Sequence, residues 1–408
     1  MPTFTCTKSS SSHALHMQKI KILFVLGTLD IGGTERQFVE TLRRLNRERF
    51  ELRVTAFSRD GKLREDIQAL NVPVTRLEFS GLTGKYHAGS YVELITFLRQ
   101  LTGHIRREKP DIVQSYLFWA NIYAALAARF AGVPIIITGR RELVDVSSLK
   151  PHYRWLLFLS NALAAKVLAN SQKTREQCLA QERFLNARKI LTIQNGIELG
   201  KYTTAALNKE KFLQQHKVRE KKYVVGVLAN LHACKGIDTF LKAAVAVLRT
   251  CPETLFLIIG RDAGMRHELE QLAERLQIED SVIFTGERDD IPELLSIIDV
   301  HVSSSRTESL SNAILEGMAS GRAIIATDVG GSPELIVDGR SGILIPPDNP
   351  ELLSRAILQL LRHESLRHQL GKAARERAQI HFNITLMITK LEELYVETVT
   401  AQRSTKFS

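Results

Sequence analysis

Cysteine is scarce in this chain of 408 residues, and the four present, Cys6, Cys178, Cys234 and Cys251, share no CxxC spacing. That spacing excludes a paired-cysteine redox motif and a zinc knuckle and makes a disulfide framework unexpected; reduced thiols and a cytoplasmic setting are the matching expectations. Long hydrophobic runs are absent too. The most apolar stretch, Trp155 to Leu168, is interrupted by Asn161 and Lys166 and falls short of the ~20 residues that span a bilayer. No GxGxxG fingerprint follows a strand, which disfavours a nicotinamide cofactor. Helix-turn-helix, zinc-finger and RNA-binding aromatic signatures are missing, so no nucleic acid is expected as a partner. The polar, Ser/Thr-rich start lacks the apolar core of a secretory signal. Residues 1–18 are expected to be a disordered leader, with Met17 as an alternative start.

Acidic residues run short in one half only. Residues 1–200 hold 29 Lys+Arg against 17 Asp+Glu, and residues 201–408 hold 26 against 27, so the net charge of +11 belongs to the first half. A basic half beside a neutral one suggests an anionic partner for that half, such as a lipid-phosphate acceptor or an anionic membrane surface. Peripheral attachment at the inner face of a membrane follows as an expectation. The segment Lys150–Phe158, KPHYRWLLF, sets aromatics beside basic residues as interfacial helices do, although a core helix has the same pattern.

What is present is a repeated alternation of apolar strands and helices. In the first half, strands are predicted at Ile20–Leu26, Leu52–Phe57, Asp111–Gln114, Pro134–Thr138, Val167–Asn170 and Ile190–Gln194. Residues 198–221 are polar and read as a linker. The alternation restarts with strands at Tyr223–Ala229, Thr254–Gly260, Ser281–Thr285, Val300–Ser303 and Ala323–Thr327, followed by helices over 351–377 and Ile384–Thr400. Near-continuous apolar strands separated by helices imply parallel sheets covered on both faces. The fold class is therefore α/β, with two Rossmann-like doubly wound domains, 19–197 and 222–380, facing across a cleft. Residues 381–408 are expected to form a C-terminal helix that packs back on the first domain. Ligands of such sheets bind beyond the carboxyl ends of the strands.

The most informative stretch is SRTESLSNAILEGMASG, bracketed by Glu308 and Glu316. A strand leads into a polar loop carrying Glu308, and Ala313, Ile314, Leu315 and Met318 then give a helical face that carries Glu316. The free N–H groups at that helix start, near Leu310, Ser311 and Asn312, suit an anion. Eight residues of helix span roughly 12 Å, so two hydroxyl-binding carboxylates flank an anion site, as a nucleotide sugar requires. Gly32-Gly33 after the first strand permits close backbone approach to a phosphate. Lys235-Gly236 follows another strand and can reach a diphosphate. Gly330-Gly331-Ser332-Pro333-Glu334 reads as a tight turn at the same sheet edge. Asp289-Asp290 before Pro292 reads as a helix N-cap, so no metal is expected there. His301, on a strand of alternating small residues, reads as structural.

Together these residues resemble the retaining glycosyltransferases of family 4, of two-Rossmann (GT-B) fold. Lys235-Gly236, Gly260, Thr285-Gly286, Glu308 with Glu316 and GGSPELIVDG at 330–339 carry the likeness in the second half. GGTER and Asn195-Gly196-Ile197 carry it in the first. The resemblance implies a UDP-, GDP- or ADP-linked sugar as co-substrate, no other cofactor and no metal, and a glycan or lipid-linked acceptor in cell-envelope polysaccharide synthesis. It implies Glu308 on the transferred sugar, Lys235 on the leaving diphosphate and Glu316 on the ribose. Gly32, Gly33, Leu310, Ser311, Asn312, Asn230, Arg261 and Thr285 would complete the donor site. Many members carry an arginine where this chain has Asn230, and histidines where it reads Gln114-Ser115-Tyr116 and Gly139-Arg140-Arg141. Arg140, Arg141 and Tyr116 are the acceptor-side candidates, and acceptor choice is expected in loops such as Gly81–Ser90. A non-catalytic partner of a transferase and a nucleotide-sugar epimerase of similar fold are the alternatives.

Overall fold

The computed structural model describes residues 19–407 except 31, 58–60, 80–89, 183, 204–205, 217 and 219–220. The expected leader at 1–18 and residues 81–89 of the expected acceptor loop lie outside the described residues. The first domain contains β1 (Ile20–Leu26), α1 (Gly33–Arg44), β2 (Phe50–Ala56), α2 (Leu63–Ala69), β3 (Val74–Arg76), α3 (Ser90–Glu108), β4 (Ile112–Tyr116), α4 (Phe118–Ala131), β5 (Ile135–Arg140), α5 (Pro151–Leu163), β6 (Lys166–Ala169), α6 (Gln172–Gln181) and β7 (Ile190–Thr192). A short helix α7 (Lys209–Gln215) leads into the second. There follow β8 (Tyr223–Leu228), α8 (Ile237–Thr250), β9 (Thr254–Ile259), α9 (Arg266–Arg275), β10 (Val282–Gly286), α10 (Ile291–Ser296), β11 (Val300–Ser303), α11 (Asn312–Ala319), β12 (Ala323–Thr327), α12 (Ser332–Leu335), β13 (Ile343–Ile345), α13 (Pro350–Arg362), α14 (Glu364–His381) and α15 (Ile384–Phe407).

The sheets run in the orders β3-β2-β1-β4-β5-β6-β7 and β10-β9-β8-β11-β12-β13. Every strand pair is parallel, as buried apolar strands between helices require. The strand order reverses between β1 and β4 in one sheet and between β8 and β11 in the other. Crevices therefore open at the carboxyl ends of those strands. The edge strands β3 and β13 are three residues each and too short to show a pattern in the sequence. The predicted helix 351–377 is two helices that break at His363, whose φ of −113° and ψ of 83° leave the helical region.

Two passes of the chain between domains lie side by side. Ile197 N–H donates to Phe382 O at 2.7 Å, and Ile384 N–H donates to Ile197 O at 3.1 Å. A Cβ on Gly196 would sit 2.6 Å from Ile384 Cα, so glycine at 196 lets the two passes touch. Beyond this crossing, α15 packs on the first domain. Ile388, Leu391, Leu394 and Tyr395 join the cluster of Phe24, Phe38 and Phe50, each buried large apolar side chain worth about 1.5–3 kcal/mol. Tyr395 is fully buried and its hydroxyl donates to Gln114 Oε1 at 2.6 Å. No described helix is long and apolar enough to cross a membrane.

Candidate functional site

The two sheet reversals face each other across a cavity of about 300 Å³. The turn after β1 brings Gly32, Gly33 and Arg36 to it, the turn after β8 brings Asn230 and Lys235, and the turn after β11 brings Ser304, Ser305 and Glu308. Glycines fit these turns together. Gly236 has φ +62°, and a Cβ there would run into Ser304 O. Gly330 has φ +54° and lies with Gly331 directly beneath the carbonyls of Glu308 and Ser309, where any Cβ would collide. The Gly330-Gly331 turn is thus the floor on which the Glu308 loop rests. Gly32 makes room for the Glu35 carboxylate, which folds back over the start of α1; burial pushes the Glu35 carboxyl above the usual range.

Lys235 Nζ lies 2.6 Å from Glu308 Oε2, and Ser305 Oγ donates to the same oxygen at 3.2 Å. Beside this pair begins α11. Its Ser311 cap accepts from Ile314 N–H, and the residues around the helix start, Ser309 to Ala313, line the cavity. Glu316 projects from the first turns of α11 into the same space. Burial raises its carboxyl from the usual range to about 7, and Arg36 opposes that rise. Such a carboxylate is poorly solvated and gains from hydroxyl donors on a ligand. His301 is fully buried beneath α11 and held neutral by burial, at about 4. A Cβ on Gly317 would stand 2.8 Å from its ring.

Several side chains clamp one domain to the other at the cavity's edge. Arg141 Nη1 donates to Asn195 Oδ1 at 2.9 Å, Asn195 Nδ2 to Asn312 Oδ1 at 2.8 Å, and Asn312 Nδ2 to Gly33 O at 2.8 Å. Ser309 Oγ donates to Arg141 O at 2.7 Å. Farther out, the Glu334 carboxylate accepts from the N–H groups of Gln172 and Lys173, both at 2.9 Å, and from Gln194 Nε2 at 2.6 Å. A side chain of the second domain thereby caps α6 of the first, where the helix dipole favours negative charge.

Of the residues singled out in the sequence, Glu308, Lys235, Glu316, Gly32, Gly33, Leu310, Ser311, Asn312, Asn230, Arg261 and Arg141 all line this cavity. Three do not. Arg140 is locked in a buried pair with Glu182 at 3.3 Å and donates to Asn161 Oδ1 at 2.5 Å, so its guanidinium is turned away from the cleft. Tyr116 is buried beneath the Arg141 guanidinium, which lies 4.9 Å from its ring centroid. Thr285 spends its hydroxyl on Gly286 O at 3.1 Å. In its place Glu287 and Arg288, two and three residues on, reach the cavity. Arg36, Asn170 and Asn195 also line it; Arg36 and Asn195 stood in the stretches marked for family likeness, without a role assigned to either, and Asn170 did not. Asp290 does not cap α10 with its side chain; its carboxylate is held by Arg288, at 2.7 and 2.5 Å. No group of three or more potential metal ligands occurs among the described residues.

Two doubly wound sheets facing across a polar cavity, with a lysine–carboxylate pair and a helix start on its floor, define a glycosyltransferase of GT-B architecture. Glycosyltransferase Family 4 matches residues 31–201 and Glycosyl transferases group 1 matches residues 208–377, and the chain belongs to this family of glycosyltransferases. It is 25% identical to the UDP-Gal:alpha-D-GlcNAc-diphosphoundecaprenol alpha-1,3-galactosyltransferase of Escherichia coli, over 93% of this chain and 98% of that protein. It is 26% identical to the D-inositol 3-phosphate glycosyltransferase of Salinispora arenicola, over 92% and 89%. Its fold is shared with Anabaena HepE, solved in complex with UDP and glucose, at a TM-score of 0.81 and 22% identity over 93% of this chain and 100% of that one.

Proposed function

We propose that this chain transfers a sugar from a nucleotide-sugar donor to a glycan or lipid-linked acceptor in cell-envelope polysaccharide synthesis, with retention at the anomeric carbon and without a metal. The observation that carries the reading is the convergence of Lys235, Glu308, Glu316 and the start of α11 on one interdomain cavity. Glu316 binds the ribose hydroxyls, and the N–H groups at 310–312 hold the diphosphate. Glu308 orients the transferred sugar. As the bond from the anomeric carbon to the diphosphate oxygen breaks, the acceptor hydroxyl bonds to the same face and its proton passes to the leaving diphosphate. Lys235 and the helix start meet the charge that develops there. Such electrostatic stabilisation is usually the largest catalytic term. Arg261, at the exposed rim, supplies the second phosphate cation that Asn230 does not.

The E. coli relative, a UDP-Gal-dependent galactosyltransferase, makes UDP-sugars the first donors to try, and its diphosphoundecaprenol acceptor with the inositol 3-phosphate of the Salinispora relative makes a lipid-diphosphate or phosphorylated compound the first acceptor class. Thermal unfolding is followed with UDP, GDP, ADP and CMP and their common sugar conjugates. Saturation at 100 times the dissociation constant stabilises by about 2.7 kcal/mol. A shift with one nucleotide, lost in Glu316→Ala, is the expected result; no shift with any of them overturns the reading. Product formed from donor alone, with no acceptor present, would replace transfer by epimerisation.

A further inference from the structure

The helix α5 turns an apolar stripe outward. Pro151, Trp155, Phe158 and Ala162 recur at helical spacing and are all exposed, Trp155 by 57% and Phe158 by 37%. Phe184, 76% exposed, stands edge-on to Phe158 with ring centroids 5.0 Å apart. A groove of about 380 Å³ opens between them. The stripe cannot rotate inward, because the opposite face of α5 is pinned. Asn161 is bonded to both Arg140 and Glu182, and Ser160 Oγ donates to Asn121 O at 3.2 Å. An apolar patch held outward by a polar lock calls for a partner.

The charge around the patch says which partner. Residues 146–175 contain no Asp or Glu, while Lys150 and Arg154 flank the stripe on α5 itself. Each exposed aromatic offers at most ~150–250 Å², so three of them fall short of the ~800 Å² per side that a stable protein partner needs. Among the described residues the one carboxylate lining the groove, Glu182, is neutralised by Arg140, and a small aromatic patch flanked by cations matches the interfacial zone of an anionic bilayer. We propose that the outer face of α5, with Phe184, docks this protein on an anionic lipid surface, with Trp155, Phe158 and Phe184 entering the interface and Lys150 and Arg154 meeting lipid phosphates. Pro151 at the head of α5 follows Arg141 at the cleft by ten residues of chain, a reach of at most about 35 Å, so docking here keeps the cleft within that distance of the membrane. This deepens the proposed function, giving a lipid-linked acceptor its route of approach, and it rests on that reading only for its purpose.

The test is flotation of the full chain with phosphatidylcholine vesicles, with and without phosphatidylglycerol, at low and high salt. Binding is expected only to the anionic vesicles, with salt weakening it and a blue shift of Trp155 fluorescence on binding. Each cation near an anionic leaflet is worth about fivefold in partitioning, so Lys150→Glu/Arg154→Glu should lower binding by well over tenfold. Trp155→Ser/Phe158→Ser/Phe184→Ser should lower it comparably. The charge variant touches only exposed side chains, so it keeps the test valid should the triple variant fail to fold. Absence of wild-type binding at low salt, or binding by both variants as strong as that of the wild type, overturns the proposal. So does a loss of dimer mass in the triple variant without lipid, which would make a second copy the occupant. The nucleotide-induced thermal shift is read separately, so a failure of docking leaves the proposed transfer standing and the reverse is equally visible.

Discussion

The two domains share a topology and divide the labour differently. In the second domain Lys235 and Glu308, paired with each other, face the cavity together with Glu316 and Arg261. In the first domain the polar side chains near the same cavity are mostly spent on structure. Arg140 is sealed in an ion pair, Tyr116 lies under Arg141, and Asn195 bridges to Asn312. The charge follows the opposite rule, with the whole positive excess in the first half. On the proposed reading, a donor domain carries its specificity in a few fixed side chains, and an acceptor domain carries it in backbone, loops and overall field, which residue identity records far less.

The largest expected effect lies in the second domain. Glu308→Ala or Lys235→Ala should lower turnover by about 10²–10³ while leaving nucleotide binding within a few-fold. The two side chains touch, so the double variant should be scarcely worse than either single one. Additive losses, measured by initial rates at saturating donor, would show that the pair does not act as a unit.

Glu316 comes next, and it separates binding from stability. A carboxyl raised from the usual range to about 7 binds a proton more readily in the folded than in the unfolded chain. Stability is therefore full at acidic pH and is lost as pH rises toward and through 7. At pH 8 that burial costs on the order of 3 kcal/mol in the empty protein. Glu316→Gln should raise the unfolding temperature of the empty protein at pH 8 and leave it unchanged near pH 4.5. The same variant should lose the stabilisation that a nucleotide confers. In the wild type, nucleotide affinity should weaken as pH falls below 7, because the ionised carboxylate accepts the ribose hydroxyls; a pH-independent affinity would remove Glu316 from the ribose.

This asymmetry also explains what could be read from the sequence. The alternation of apolar strands and helices made both sheets legible, because buried parallel strands write near-continuous apolar runs. The short edge strands, the break at His363 and the helices α2, α3 and α6 escaped. In the site, Glu308, Lys235 and Glu316 were legible because charged residues at strand ends need a reason to be there. Arg36 lay within the GGTER likeness but was given no role, and Asn170, at the end of a predicted strand, carries no pattern that marks it. Arg140 was misplaced because adjacent residues at a strand end point to opposite faces. Sequence alone could not say that Arg141, and not Arg140, faces the cleft.

The clamp between domains offers a subtler test. Glu334 reaches from the second domain to the start of α6, while the glycines just before it support the Glu308 loop. Gripping α6 therefore fixes the floor under Glu308. Glu334→Ala removes three hydrogen bonds to a charged group, each worth about 1.5–3 kcal/mol at most when buried and less at this exposed edge. Turnover is expected to fall about tenfold with nucleotide binding unchanged, since most of the proposed nucleotide contacts lie in the second domain. Glu334→Gln, which keeps an acceptor oxygen, should restore part of the loss. Small-angle scattering should show a larger radius of gyration for Glu334→Ala; an unchanged radius with unchanged turnover would mean the clamp is incidental.

The smallest effect expected is at the far end of the first domain, and it asks whether α15 is merely glued on. Tyr395 donates to Gln114 Oε1, and Gln114 Nε2 donates to the Tyr116 hydroxyl at 2.7 Å, beneath Arg141. Tyr395→Phe leaves a buried carbonyl oxygen without its donor, a loss of about 1–2 kcal/mol that lowers the unfolding temperature by a few degrees. Because the ring of residue 395 stays packed against Phe50, 5.7 Å between centroids, the helix should remain docked and nucleotide binding should not change. If turnover falls further than stability can account for, the chain from Tyr395 through Gln114 and Tyr116 positions Arg141 at the cleft. If only the unfolding temperature moves, the helix serves the first domain as a structural cover and Arg141 is held by Asn195 alone.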